Sequence, residues 1–235
     1  MKKIYSIFLT FLFSLSVEAQ TFVFTAIPDQ DESLLQTRFS KVARYLSKEL
    51  HIDVKYIPVK SYAAAITAFR NNEVQLAWFG GLSGVRARLL VPGSEVIAQG
   101  FEDQSFQSYF IAHVNTGLKK MDELNDTLKD HSFTFGSKSS TSGRLMPEFY
   151  LRQRFEQSPE QLFQRVGFSG NHSRTLALVQ SGAYQVGALN YKVWENEIES
   201  GKVNAENVAV IWETPTYPDY QWTIRGDVDV IWGKG

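Results

Sequence analysis

Ser139, Ser140, Thr141, Ser142 and Gly143 place four neutral hydroxyls directly before a helix-like run, Arg144 to Phe155. The opening turn of a helix carries unpaired N–H groups and a partial positive charge, so hydroxyl donors added there can cradle an anion without any cation. The same residue types are also the ordinary N-caps of helices, and the cluster read alone leaves both uses open. Two further loops offer comparable chemistry. Trp78-Phe79-Gly80-Gly81-Leu82-Ser83-Gly84 combines glycines, which let backbone approach a ligand, with aromatics that would wall it from water. Gly170-Asn171-His172-Ser173 precedes a helical run from Arg174 and adds an imidazole. Turn glycines, core aromatics, a capping Asn and a surface His are the competing description of each loop.

Covalent chemistry finds no such support. Gly81-Leu82-Ser83-Gly84 brings its last glycine one residue too early for a nucleophile elbow, and neither a dinucleotide fingerprint nor a P-loop occurs. The four histidines, His51, His113, His131 and His172, lack metal-ligand spacing. No catalytic group, metal or cofactor is therefore expected.

The elements that must position these loops alternate. Thr21 to Ile27 reads as a strand, Ser33 to Leu50 as a helix with Leu35, Phe39, Val42, Leu46 and Leu50 on one face, and Val54 to Ile57 as a second strand. Helix Tyr62 to Arg70, strand Leu76 to Phe79 and helix Ser83 to Leu90 follow. After an extended Phe106 to Val114 and a turn at Asn115-Thr116-Gly117, a second series runs through strands ending at Phe135, Phe168 and Asn190, with helices between. Alternation of this kind implies open α/β sheets whose ligands bind at the carboxyl ends of the strands. The expected organisation is a leader over 1–19, a first lobe over 20–113, a second over 114–213, and a return to the first over 214–235.

Lys2 and Lys3, the apolar run Ile4 to Val17, and Val17-Glu18-Ala19 have the form of a cleavable export signal, and the run is too short to span a membrane. The chain has no cysteine among its 235 residues, so disulfides and a lipid-modified cysteine are both excluded. Lys and Arg number 24 against 25 Asp and Glu, a formal charge of −1, with no basic run. That balance gives no electrostatic footprint for nucleic acid and no polybasic membrane patch. The expected product is a freely diffusing periplasmic protein.

Ser140-Thr141-Ser142-Gly143 with Pro147, and Gly170-Asn171-His172 with Leu176-Ala177-Leu178-Val179, resemble two blocks of the phosphonate-type periplasmic binding proteins. Tyr62-Ala63-Ala64, Leu76 to Gly80 and Tyr109 resemble that family's remaining ligand-side segments, and the likeness runs from about Phe22 to Asp227. The resemblance implies the type 2 fold, two α/β lobes joined by a hinge. It also implies that Ser140, Thr141, Ser142 and His172 bind a tetrahedral oxyanion from the second lobe, while Tyr62, Trp78 and Tyr109 close from the first. The ligand would be phosphonate, phosphite, phosphate or a selenate-like anion. The protein would act as a monomer with the permease of an ABC importer or, alternatively, with a membrane sensor kinase.

The chain departs from the family at three places. Gly136-Ser137-Lys138-Ser139 lacks an acidic residue before the hydroxyl loop, and Tyr191-Lys192 stand where some members carry carboxylates. If Lys192 points into the cleft it repels an amine-bearing ligand; as a helix-start lysine it is simply solvated. Relatives also continue for several helices beyond the position of Gly235, so an incomplete first lobe is expected. The mass of the exported protein is expected to match a chain beginning at Gln20; a mass that retains residues 1–19 would mean an anchored protein.

Overall fold

The computed structural model describes residues 21–228, so the expected leader and the last residues of the chain lie outside it. In chain order the first elements are β1 (Phe22–Ala26), α1 (Glu32–Leu50), β2 (Val54–Tyr56), α2 (Tyr62–Arg70), β3 (Leu76–Phe79), α3 (Gly81–Leu90) and β4 (Glu95–Ala98). They are followed by β5 (Ser108–His113), β6 (Ser132–Phe135), α4 (Met146–Phe155), α5 (Pro159–Leu162) and β7 (Arg165–Phe168). The last are α6 (His172–Gln180), β8 (Val186–Asn190), α7 (Tyr191–Glu199), β9 (Val208–Glu213) and β10 (Gln221–Ile224).

Two five-stranded sheets result, one ordered β2-β1-β3-β10-β4 and the other β7-β6-β8-β5-β9. In the first, β1 runs parallel to β2 and β3 while β10 is antiparallel to β3 and β4. In the second, β6 runs parallel to β7 and β8 while β5 is antiparallel to β8 and β9. Each sheet is thus a parallel α/β unit closed by strands of opposite direction. Strand β5 corrects the expected boundary. Ser108–His113 was assigned to the first lobe, yet it lies inside the second sheet, so the chain crosses before Ser108 rather than after His113.

Strands β4 and β10 have no counterpart among the expected elements. All four residues of β4 are exposed, so it carries no buried face to write an alternation into the sequence. Strand β10 follows Pro215 and Pro218, and its pairing partners on β3 and β4 lie more than 120 residues upstream, information that local pattern does not hold.

Apolar spacing builds the two cores. Leu35, Phe39 and Ala43 form the buried stripe of α1, and Phe39 meets Phe24 edge-on at 6.2 Å. In the second lobe Phe110, Phe133, Phe135, Leu151 and Trp212 share a core in which Phe133 stacks on Phe163 at 4.6 Å. The two crossings between sheets lie side by side. Phe106 and Tyr217 exchange backbone hydrogen bonds of 2.8 and 2.9 Å, and Thr214 N–H donates to Ser108 O at 3.0 Å. The hinge is therefore a pair of hydrogen-bonded segments.

Beyond β10 the buried Arg225 donates to the Phe69 carbonyl at the end of α2 and pairs with Asp227 at 2.8 Å, pinning the returning chain to the first lobe. There the backbone of Gly226 presses on that of Gly93, and a Cβ on Gly226 would stand 2.5 Å from the Gly93 carbonyl carbon. Gly226→Ala must push two backbones apart, at about 1–3 kcal/mol for overpacking of this kind. Its melting temperature is expected to fall by about 2–4 °C for each kcal/mol lost, measured by circular dichroism; an unchanged melting curve would show that the contact yields freely.

Candidate functional site

Three helices begin at the junction of the lobes, and their caps decide which hydroxyls are free. Ser140 Oγ accepts from Gly143 N–H at 2.9 Å, Asn171 Oδ1 from Arg174 N–H at 2.8 Å, and Asn190 Oδ1 from Val193 N–H at 2.6 Å. Ser140 is thus a cap, as the simpler reading of the cluster has it. Ser142 is not: its Oγ is buried, near enough to Asp219 to favour the charged carboxylate yet without a well-formed hydrogen bond among the described residues, while its carbonyl accepts from Ser108 Oγ at 2.7 Å. Thr141 reaches across to the other lobe, where its Oγ1 accepts from Leu82 N–H at 3.0 Å at the start of α3.

The lobes are closed on one another. Besides the Thr141 contact, His172 N–H donates to Asp29 O at 2.8 Å and Arg86 Nη1 donates to Ser139 Oγ at 2.6 Å. Gly80 and Gly81 ease this approach, since a Cβ on either would stand 3.3 Å from Thr141 Oγ1 and the hydroxyl would have to give by a few tenths of an ångström.

His172 is fully buried at the first turn of α6. Its Nδ1 accepts from Asn190 N–H at 3.2 Å, which leaves the ring proton on Nε2, 3.4 Å from the Tyr220 hydroxyl. Burial holds its pKa down at about 3, so the ring is a neutral donor. The Tyr62 hydroxyl, at the start of α2, sits close to Ser140 yet has no hydrogen-bond partner, and burial raises its pKa well above the usual value. Trp78, on β3, stacks on Tyr220 with ring centroids 4.2 Å apart and 7° between planes.

Two expected site residues are not brought in. Tyr109 packs against the cluster of Leu176, Val179, Leu189 and Val193 and near Tyr191, because alternate residues of β5 face opposite sides and it is Ser108 that faces the hydroxyl loop. Lys192 is half exposed and paired with Glu102 at 3.3 Å and Glu195 at 3.6 Å, so it bridges the rim instead of reaching the hydroxyls.

The structure adds residues that the sequence did not single out. Asp29, Ser108, Asn190, Asp219 and Tyr220 are all buried here. The Tyr220 hydroxyl donates to Asp29 Oδ2 at 3.1 Å and accepts from Asn190 Nδ2 at 2.8 Å. Asp219 Oδ1 accepts from Gly81 N–H at 2.9 Å, and the Thr141 and Ser142 hydroxyls favour its charged form. Burial nonetheless pushes Asp219 up to about 6 and Asp29 up to about 7, and Asp29 Oδ1 is left without a partner. The available signal was an acidic residue after Pro28 and another after Pro218, at strand termini facing a sheet's ligand edge.

Neutral donors from two lobes, buried with unfilled valences and closed by a hinge, define a binding protein that encloses a small polar ligand. The chain belongs to the family described as "ABC transporter, phosphonate, periplasmic substrate-binding protein", which it matches over residues 24–230. It is a transport component of that family, not an enzyme. It is 46% identical over 212 residues to the probable ABC transporter phosphite binding protein PhnD1 of Prochlorococcus marinus MIT 9301, covering 89% of this chain and 71% of that one. The solved structure of PhnD1 in complex with methylphosphonate superposes with a TM-score of 0.86 at 45% identity, over 92% of this chain and 80% of the other. The phosphonates-binding periplasmic protein of Escherichia coli K12 is 26% identical, over 99% of this chain and 69% of its own length. Among the described residues no helix is long and apolar enough to cross a membrane.

The raised Asp29 yields a pH signature. Below its ordinary 3.8 the group is protonated whether the chain is folded or not; as pH rises toward 7 the unfolded chain ionises first, so a penalty grows and is complete above about 7. His172, neutral down to about 3, acts in the opposite sense below its usual 6.5, but wild type and variant share it. The melting temperature of ligand-free Asp29→Asn is therefore expected to gain on wild type between pH 4 and 7 and to hold that lead at higher pH. A difference that does not change with pH would mean that Asp29 is charged in the closed form.

Proposed function

We propose that the chain captures a small phosphorus oxyanion, of the phosphite or methylphosphonate type, between its lobes and delivers it to the permease of an ABC importer. The observation that carries this reading is the pair of partnerless buried hydroxyls, Tyr62 OH from the first lobe and Ser142 Oγ from the second. An unmade hydrogen bond in such a place costs about 1–3 kcal/mol, so closure over an empty site is penalised and closure over a multi-acceptor anion is not. Tyr62 and Ser142 supply donors; His172 adds its Nε2–H when a ligand oxygen replaces the long 3.4 Å contact with the Tyr220 hydroxyl, and Thr141 adds its own when its proton turns from Asp219 to the ligand while its oxygen keeps Leu82 N–H. Three or four charge-assisted bonds of about 1.5–3 kcal/mol each, less the costs of ordering and closure, correspond to affinities of about micromolar or tighter.

The names of the relatives agree with this ligand class, and so does the acidic complement of the site. Asp29 and Asp219 can accept a hydrogen bond from an oxyanion that retains a proton, as hydrogen phosphonates do near neutral pH. Sulfate and selenate bring no proton of their own, so each would have to take its hydrogen bond from a protonated Asp29 or Asp219, a supply that runs out above about pH 7. The leader over residues 1–19, a monomeric state and release into the periplasm complete the proposed picture.

Tyr62→Phe and Ser142→Ala separate a ligand role from a structural one. Each removes a polar atom that has no partner in the ligand-free closed form, so the melting temperature without ligand is expected to hold or rise. Titration calorimetry with methylphosphonate is expected to show affinity weaker by about tenfold to a hundredfold, one bond to an anion. Unchanged affinity in both variants would refute the oxyanion cradle, and sulfate binding as tight as methylphosphonate would refute the preference for a phosphorus oxyanion that keeps a proton.

A further inference from the structure

Asn190 ends β8 and caps α7, and the cap leaves its amide a single orientation. The Val193 N–H only donates, so the atom it meets at 2.6 Å is Oδ1. The other end of the amide is therefore Nδ2, a donor, and it points at the Tyr220 hydroxyl 2.8 Å away. That hydroxyl oxygen is thereby an acceptor, and its own proton leaves on another side, toward Asp29 Oδ2 at 3.1 Å. Asn190 belongs to the second sheet and Tyr220 leads into β10 of the first, so the arrangement is assembled as the lobes meet.

The backbone of the same residue places the remaining proton. Asn190 N–H donates to His172 Nδ1 at 3.2 Å, so Nε2 carries the ring hydrogen, and it faces the Tyr220 oxygen at 3.4 Å. A phenol oxygen already filled by an amide at 2.8 Å is a poor acceptor for a second donor at that length. The imidazole N–H therefore stays unspent within the protein. Without the Asn190 amide, the same oxygen would be open to it.

We propose that Asn190 is a positioning residue of the site: by filling the Tyr220 oxygen it keeps that oxygen from His172, and so preserves the imidazole N–H as a donor to the bound oxyanion. Its Oδ1, Nδ2 and backbone N–H each have a protein partner, so it acts through its neighbours. The inference rests on the oxyanion reading and adds to it the residue that keeps one of the donors free.

Asn190→Thr tests this, because it retains a capping oxygen for Val193 and the backbone N–H for His172 while it removes the donor to Tyr220. The Tyr220 oxygen is then open to His172, and a ligand has to break that bond. Titration calorimetry with methylphosphonate is expected to show affinity lower by about tenfold, one donor's worth. In the Tyr220→Phe background the same substitution is expected to change affinity by less than about twofold, since no hydroxyl is left to take the imidazole proton. A loss as large in that background, or no loss in the presence of Tyr220, would overturn the proposal. Nitrogen NMR of the wild-type imidazole is a second measurement that needs neither variant to fold: a proton on Nε2 and none on Nδ1 is expected at neutral pH. A proton on Nδ1 with methylphosphonate binding intact removes the proposal alone. If wild type binds neither methylphosphonate nor phosphite, the oxyanion reading falls and the proposal with it.

Discussion

Desolvation of polar groups that have no protein partner is the constraint on which the rest of this molecule depends. Asp29 Oδ1, Tyr62 OH and Ser142 Oγ are all buried, and none makes a well-formed hydrogen bond among the described residues. Groups left in that condition oppose the closure that buries them, so the closed state waits on a ligand that can complete them. Closure needs some compensation of its own, and the backbone provides it. Bonds from Leu82 N–H to Thr141, and from His172 N–H to Asp29 O, join the first turns of helices in one lobe to loops in the other. Direct ties and unsatisfied donors thus sit side by side, and a ligand that completes the donors adds to the closed side of the balance alone.

Electrostatics in the cleft follow from the absence of cations among the cradle residues. Neutral donors can hold an anion because they are fixed before it arrives: Ser140, Asn171 and Asn190 cap the helices that carry them, and His172 is locked into one tautomer by the Asn190 backbone. The same dryness that strengthens these dipoles raises Asp29 and Asp219.

Much of this was legible in the sequence, and the limits have physical causes. Strands with both faces buried, such as β3 and β8, and helices with a clear stripe, such as α1, announced themselves because burial dictates their residue types. The hydroxyl loop and His172 could be placed at helix starts because such positions need small polar residues, while a ligand role for them came from the family resemblance. Tyr109 was expected to close over the ligand, but it packs on the second-lobe core while the neighbouring Ser108 faces the hydroxyl loop. Strand alternation sends neighbours to opposite faces, and sequence alone does not say which face is the ligand's. Asp29, Asp219 and Tyr220 escaped because an isolated acid beside proline has the appearance of a surface turn; only pairing between β3 and the distant β10 brings Asp219 to Gly81. Strand β5 showed as extended, but its sheet was decided by partners far along the chain.

The doubled crossing between the lobes has a mechanical consequence. A single linker would let one lobe roll, slide or swivel against the other, and many relative orientations would be visited. Here Phe106 and Tyr217 hold each other by backbone bonds, and Thr214 is tied to Ser108 beside them. Two tethers bonded edge to edge resist torsion and shear but bend readily across their common line, in the manner of a strap hinge on a box lid. The lobes consequently keep one soft coordinate. A membrane protein resting on both lobes then needs to gauge only one distance between two landmarks to learn whether the box is full, and the identity of the cargo never has to be inspected again.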